Sequence, residues 1–263
     1  MMNMADNGKI YKYYPCNKYS LNILRSNRLF FSHPSNFNDP FDSSELLVKP
    51  YRKFCDSIGL KHIDEIFEKQ GICCFTKSDK PDNKHFWSLY AENYSGFVLE
   101  FDEDELNSKY APLHLEKVHY FDNPMNLDNC KNTFSTNQSD RIYTVEECIE
   151  EFTNPECNPE PLDRLFQYLH LYKEKKVWGN ENEYRMIIGN SSRSTAINQK
   201  IHPQEKGDLL DLCPNAIKSI TLGYKMSPEN MREIYKITKE TGISIYKATA
   251  DIVSQWTVTI KPI

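Results

Sequence analysis

The chain lacks most features that would declare a function outright. No apolar run approaches the roughly 20 residues needed to span a bilayer. Residues 1–12 hold no apolar signal-peptide core, so the expectation is a cytoplasmic protein with no membrane partner. A basic excess is also missing: the formal net charge is -5, and no global field draws the chain to nucleic acid or anionic lipid. The eight cysteines form no C-x-x-C pair, and no histidine follows them at metal-ligand spacing, which favours reduced thiols over a zinc site. There is no P-loop, no G-x-G-x-x-G, no G-x-S-x-G and no H-E-x-x-H. Internal repeats and low-complexity tails are absent too.

What is present describes a folded chain. Its 263 residues are enough for one large domain with a sizeable core, taken here as 1–263. Aromatics make up 13% of the residues, with 16 Tyr and 14 Phe, so ring packing contributes heavily to that core. Strands are expected at 9–14, 28–32, 71–75, 96–101, 115–120, 183–188, 216–222, 243–246 and 257–260. Helices are expected at 20–26, about 50–69 with a break at Gly59, 83–93, 144–151, 161–175 and 227–240. Strands and helices without strict alternation predict an α+β fold. Its expected form is small, mixed, mainly antiparallel sheets around a cleft, with flanking helices and a helical insertion over 122–176.

Two segments concentrate chemistry. The first runs from Trp178 through Glu181 and Glu183 to Tyr184, Arg185 and Ile188. Side chains two apart on an extended segment share a face, so Glu181, Glu183 and Arg185 project together while Tyr184 and Met186 face the other way. Carboxylates aimed into a cleft stabilise developing positive charge or accept a proton. The second segment is Phe37-Asn38-Asp39-Pro40-Phe41-Asp42, dense in turn formers, with Pro40 restricting Asp39 to extended conformations. Plainer readings stand beside these. The Phe37–Asp42 loop is a capped turn anchored by its two Phe rings, Trp87 and Tyr90 belong to an amphipathic core helix, Trp178 packs, and Glu183 forms an ion pair with Arg185 or a neighbouring lysine.

In order, Tyr11-Lys12-Tyr13, Leu29–Ser32, Phe37–Asp42, Cys74-Phe75-Thr76, Trp87–Tyr90 with Gly96, Lys176 with Trp178, Glu181–Arg185 and Ile217–Gly223 resemble the bacterial domain-of-unknown-function family DUF2971. That resemblance covers about residues 9 to 224 and implies no established activity. At the level of element order the chain is similar to ADP-ribosyltransferases, which hold NAD in a cleft between two small sheets. What this similarity implies is an NAD-consuming enzyme, a transferase or glycohydrolase of toxin or anti-phage type. It would act on a macromolecular acceptor under an antitoxin or regulatory partner.

Glu183 would then carry the nicotinamide-ribose carboxylate role, with Glu181 orienting or deprotonating the acceptor. Tyr11, Lys12 and Tyr13 would supply the first strand, and Phe41, Trp87 or Tyr90 the stacking aromatic. Arg185 or Lys12 would hold the pyrophosphate, and Asn38 and Asp39 the ribose hydroxyls or the amide. Ser32, Phe75, Thr76 and Trp178 complete the NAD site that the resemblance implies. The sequence departs from the pattern in having no first-strand Arg or His and no S-T-S triplet. Two other classes compete. One is a non-enzymatic nucleotide- or peptide-binding module in the same cleft. The other is a metal-dependent nuclease with Asp39, Glu181 and Glu183 around Mg²⁺.

Overall fold

A computed structural model describes residues 8–57, 59, 63–113, 115–123, 134–136, 139–143, 147, 160–193, 195–251 and 257–263. In chain order the strands are β1 Lys9–Tyr14, β2 Arg28–Ser32, β3 Gly71–Lys77, β4 Phe97–Asp102, β5 Leu115–Lys117 and β6 His119–Phe121. They continue with β7 Phe134–Thr136, β8 Ser139–Tyr143, β9 Tyr172–Glu174, β10 Glu183–Ile188 and β11 Ile201–Gln204. The last four are β12 Gly207–Asp211, β13 Ser219–Leu222, β14 Ser244–Asp251 and β15 Thr257–Pro262. The fold is α+β, as expected.

Among the described residues eleven strands join in one sheet, antiparallel except for the β13–β14 pair. The sheet forks. β1 pairs along its whole length with β4, from Lys9↔Asp102 to Tyr14↔Phe97. It pairs with β3 only at Ile10↔Lys77 and Tyr11↔Thr76. β2 touches β3 at Ser32↔Ile72. One arm therefore runs β1-β4-β13-β14-β15, and the other gathers β3, β10, β5, β2, β12 and β11. A peptide group left open at such a fork is costly unless it finds a partner. Lys12 supplies one, its Nζ donating to the Cys74 carbonyl across the gap at 3.0 Å.

The main core fills one face of the sheet, with Ile10, Phe31, Cys73, Phe97, Leu99, Met186 and Ile220 among its buried members. Period-two alternation sends Cys74, Ile72 and Ile187 to the opposite face, where they pack with Val118, Leu171 and Phe37. Cys73 and Cys74 thus point to opposite faces, as adjacent strand residues must.

Local signals account for the helix ends. Asn17, rather than Ser20, caps the helix Lys18–Ser26, and Ser20 closes a capping box by accepting from the Asn17 N–H. The helix Lys84–Leu89 starts at Asn83, whose side chain accepts from His85 and Phe86. Ser227 followed by Pro228 starts the helix Pro228–Thr238.

Some expectations shift. The helix expected over 161–175 ends at His170, because the next residues pair as β9 with β6. The single strand expected over 115–120 divides into β5 and β6. Residues 190–200, expected as a loop, form the short helix Asn190–Arg193 and a 3-10 turn, and the β11–β12 hairpin that follows was not foreseen. The helix expected at 144–151 lies outside the described residues save Glu147, which is helical. Among the described residues no helix is long and apolar enough to cross a membrane.

Candidate functional site

Where β1 peels away from β3, a cleft of ≈ 410 Å³ opens. Its walls include Tyr11, Lys12, Tyr13, Asn38, Phe75, Thr76, Phe86 and Tyr90, and its floor includes Asp42, Lys173, Glu181, Glu183 and Arg185. The two segments singled out in the sequence do meet. Arg185 of β10 and Asp42 of the turn-rich loop form a bidentate pair, Nη1–Oδ1 at 2.8 Å and Nη2–Oδ2 at 2.7 Å.

The loop is shaped to deliver Asp42. The Asp39 side chain accepts from the Phe41 N–H and its carbonyl from the Asp42 N–H, a turn of the kind Asp favours before Pro. The other Asp39 oxygen receives the Trp178 indole N–H at 2.8 Å, which ties the loop to the segment preceding β10. On that segment Asn182 takes a left-handed conformation (φ 45), which Asn tolerates, and Glu181 is brought back over the cleft. Thr76 Oγ1 donates to the Glu181 carbonyl at 2.8 Å and fixes the turn.

The floor is a closed network. Lys173 Nζ lies 2.8 Å from Glu181 Oε2, 2.9 Å from Glu183 Oε2 and 3.4 Å from Asp42 Oδ2. Arg185 Nε donates to Glu183 Oε1 at 2.7 Å, and Nη1 also reaches Ser43 Oγ and the His170 carbonyl. Arg185 is 0% exposed, and its fork is spent on these partners. It organises the carboxylates and has no N–H left for a phosphate. Phe37 lies under its guanidinium and Trp178 under the Lys173 ammonium, at 5.5 and 4.7 Å from the ring centroids.

Burial alone would raise the Glu183 pKa, but Arg185 and Lys173 overcome it and hold the carboxylate at about 2. Burial also works against the Lys173 charge, which Glu183, Asp42 and Glu181 sustain, leaving its pKa above the ordinary lysine value. Desolvation, reinforced by Glu183, pushes the Cys74 thiol well up, so this environment favours a thiol over a thiolate. Tyr90 is raised by burial and by Glu181, and its neutral phenol donates to Glu181 Oε1 at 2.8 Å. Glu181 therefore holds one ammonium and one phenol, whereas both Glu183 oxygens are claimed by guanidinium or ammonium.

The residues expected at the site divide clearly. Tyr11, Lys12, Tyr13, Asn38, Phe75, Thr76, Tyr90, Glu181, Glu183 and Arg185 line the cleft. Asp39 and Trp178 support it from behind through their mutual hydrogen bond. Trp87 sits beneath it, 0% exposed, its indole donating to the Pro81 carbonyl and its ring packed on Tyr13. Phe41 is 80% exposed and does not line the cleft, and Ser32 sits in the β2 ladder against Gly207 and Ile72.

Asp42, Phe86 and Lys173 are among the members that sequence reasoning missed, with Asn36, Phe37, Cys74 and Leu89. Phe86 forms an edge-to-face chain with Tyr13 at 5.4 Å and Tyr90 at 5.5 Å, so these three rings present the aromatic wall. Among the described residues no group of His, Cys, Asp and Glu is arranged to hold a metal ion. At Glu181 and Glu183, two of the three residues expected around Mg²⁺, the Lys173 ammonium supplies the positive charge.

Residues 86–186 match the family model described as "Protein of unknown function (DUF2971)". The matched stretch contains Phe86, Trp87 and Tyr90, Lys173 and the Glu181–Arg185 segment, so the resemblance read from those motifs holds there. No curated protein and no solved structure matches the chain.

Proposed function

We propose that the cleft binds NAD and cleaves the bond between nicotinamide and ribose. The observation that carries this reading is the charge of the floor beneath an aromatic wall. On the floor Asp42, Glu181 and Glu183 face Lys173 and Arg185, a local excess of one negative charge that Lys12 on the wall balances over the cleft as a whole. Such an excess, in a site partly withheld from water, favours a ligand that carries or develops positive charge. The nicotinamide ring of NAD is cationic, and breaking its glycosidic bond moves positive charge onto the ribose, as in glycoside hydrolysis.

In this reading the Tyr13–Phe86–Tyr90 wall receives the nicotinamide ring. Glu181 is the carboxylate beside the reacting carbon, because its charge is the less completely neutralised. Glu183, Asp42 and Arg185 hold it in place through Lys173. The ribose C1′–nitrogen bond breaks with its electron pair leaving on nicotinamide. A hydroxyl of water or of an acceptor attacks C1′ and loses its proton to Glu181. Asn38 and Thr76, which line the cleft, bind ribose hydroxyls in this reading. Lys12, tied to a backbone carbonyl and to no carboxylate among the described residues, remains the cation for phosphate.

The test is titration of NAD into wild type and into Glu181→Gln. Binding to both with heat or fluorescence change, abolished by Tyr13→Ala with Phe86→Ala, supports the cleft as the NAD site. No binding to either, in correctly folded protein, removes this reading and leaves the cleft to a different ligand.

A further inference from the structure

A second cavity, of ≈ 480 Å³, lies at the other end of the β3–β10 ladder. The cleft sits at the Thr76↔Glu183 end, whereas this cavity is bounded by Ile188, which pairs with Gly71. Five residues of strand separate the two ends, roughly 17 Å. The cavity wall holds polar groups that no part of the proposed NAD chemistry uses.

Asp208 is 1% exposed. One of its oxygens, Oδ2, orients Arg193 Nη2 at 2.7 Å, and the other, Oδ1, has no hydrogen-bond partner among the described residues. Gln70 is 2% exposed; its amide nitrogen faces Asp163 Oδ1 at 3.5 Å, and its Oε1 is likewise without a partner among the described residues. Buried acceptors without donors are uncommon and destabilising. Donors stand close by. Arg193 spends one N–H on Asp208, and the rest of its fork is unclaimed among the described residues. His33 lines the same cavity, and burial, with Arg193 and Lys69 opposing Asp208, keeps its imidazole on the neutral side of its ordinary value.

A fully deprotonated inorganic anion such as sulfate would satisfy the donors and leave both acceptors stranded. A ligand with an ammonium and a carboxylate satisfies both sets. We propose that this cavity is a binding site for a small zwitterion of the α-amino-acid class, its carboxylate on Arg193 and His33 and its ammonium on Asp208 and Gln70. Arg193 is suited to the carboxylate because its planar fork is already oriented by Asp208. The proposal is independent of the NAD reading, since no residue is shared between the two cavities.

The experiment is a thermal-shift screen of the intact protein with each of the twenty amino acids, followed by titration calorimetry of any that respond. A true ligand at ten times its Kd raises the unfolding midpoint by about 3–6 °C. The N-acetyl and methyl-ester forms of that amino acid, each lacking one charge, are expected to lose the shift. Arg193→Met is expected to abolish it. Because loss of Arg193 strands Asp208, His33→Asn serves as a milder variant that weakens binding in a folded protein, while Glu181→Gln leaves it unchanged. No response to any amino acid overturns the proposal. An equal response to inorganic phosphate, or to the N-acetyl form, overturns it as well and marks a simple anion site.

Discussion

Arg185 and Asp42 stand 143 positions apart and share two parallel hydrogen bonds, with both side chains buried at the floor of the cleft. This pair fastens the Phe37–Asp42 loop to β10 and so creates the floor of the cleft. Breaking a buried pair by removing one partner leaves an uncompensated charge and costs about 3–5 kcal/mol. Arg185→Met and Asp42→Leu are each expected to lower stability by that order in urea denaturation. Arg185→Lys is expected to be nearly as damaging, since a lysine cannot reproduce the fork. A loss below about 1 kcal/mol for Arg185→Met would show that the network contributes little to folding.

Trp178 and Asp39 provide a gentler probe. The indole N–H donates to a carboxylate that is itself part of the loop turn. Trp178→Phe removes that bond and keeps most of the ring, so its expected stability cost is about 1 kcal/mol. The larger expected effect is local: faster amide exchange over residues 37–42 with the strand ladders unchanged. Exchange that stays at the wild-type rate in this loop would contradict the anchoring role.

Acid should act in two windows. His170 is buried, stacked on Phe67 at 4.1 Å, with neither ring nitrogen partnered among the described residues. Burial, and then Arg185, hold its pKa well below the ordinary 6.5. The unfolded chain therefore takes up a proton below pH 6.5 that the folded chain refuses, and stability falls as pH drops from there. His170→Phe is expected to flatten this slope and to leave stability at neutral pH equal or higher, because an unsatisfied polar ring is replaced by an apolar one. Urea midpoints of the two proteins between pH 7 and 5 decide it; parallel curves would refute the assignment.

Glu183 governs the lower window. Its folded pKa of about 2 lies below the ordinary 4.5, so its stabilising contribution is complete above 4.5 and is lost as pH falls through the folded value. Glu183→Gln is expected to lose stability at neutral pH and to show a shallower acid slope between these limits. An unchanged slope would mean that the carboxylate is not held by Arg185 and Lys173 in solution.

Much of the fold was legible because its signals are local. The apolar runs at 71–77 and 97–102, the alternation of β10 and the Ser227-Pro228 helix start each follow from a few adjacent residues. The shared face of Glu183 and Arg185 was legible for the same reason. Lys173 was not. It sits in the run Lys173-Glu174-Lys175-Lys176, which reads as a solvated charged face, and only the tertiary structure buries it among three carboxylates. Asp42 closes a motif that was noticed, but its partner lies far down the chain, so no spacing rule could pair them. The fork of the sheet was illegible too, since the point at which β1 leaves β3 depends on which neighbours each strand finds.

Nicotinamide release from NAD by the purified protein, with and without cell extract as a source of acceptor, for wild type and for Glu181→Gln, decides whether the cleft cleaves NAD. Turnover by wild type, reduced about 10²-fold or more in a Glu181→Gln protein that keeps its fold and still binds NAD, is the predicted result. Absence of release under both conditions, or equal release from the two proteins, would contradict an NAD-cleaving site built on Glu181.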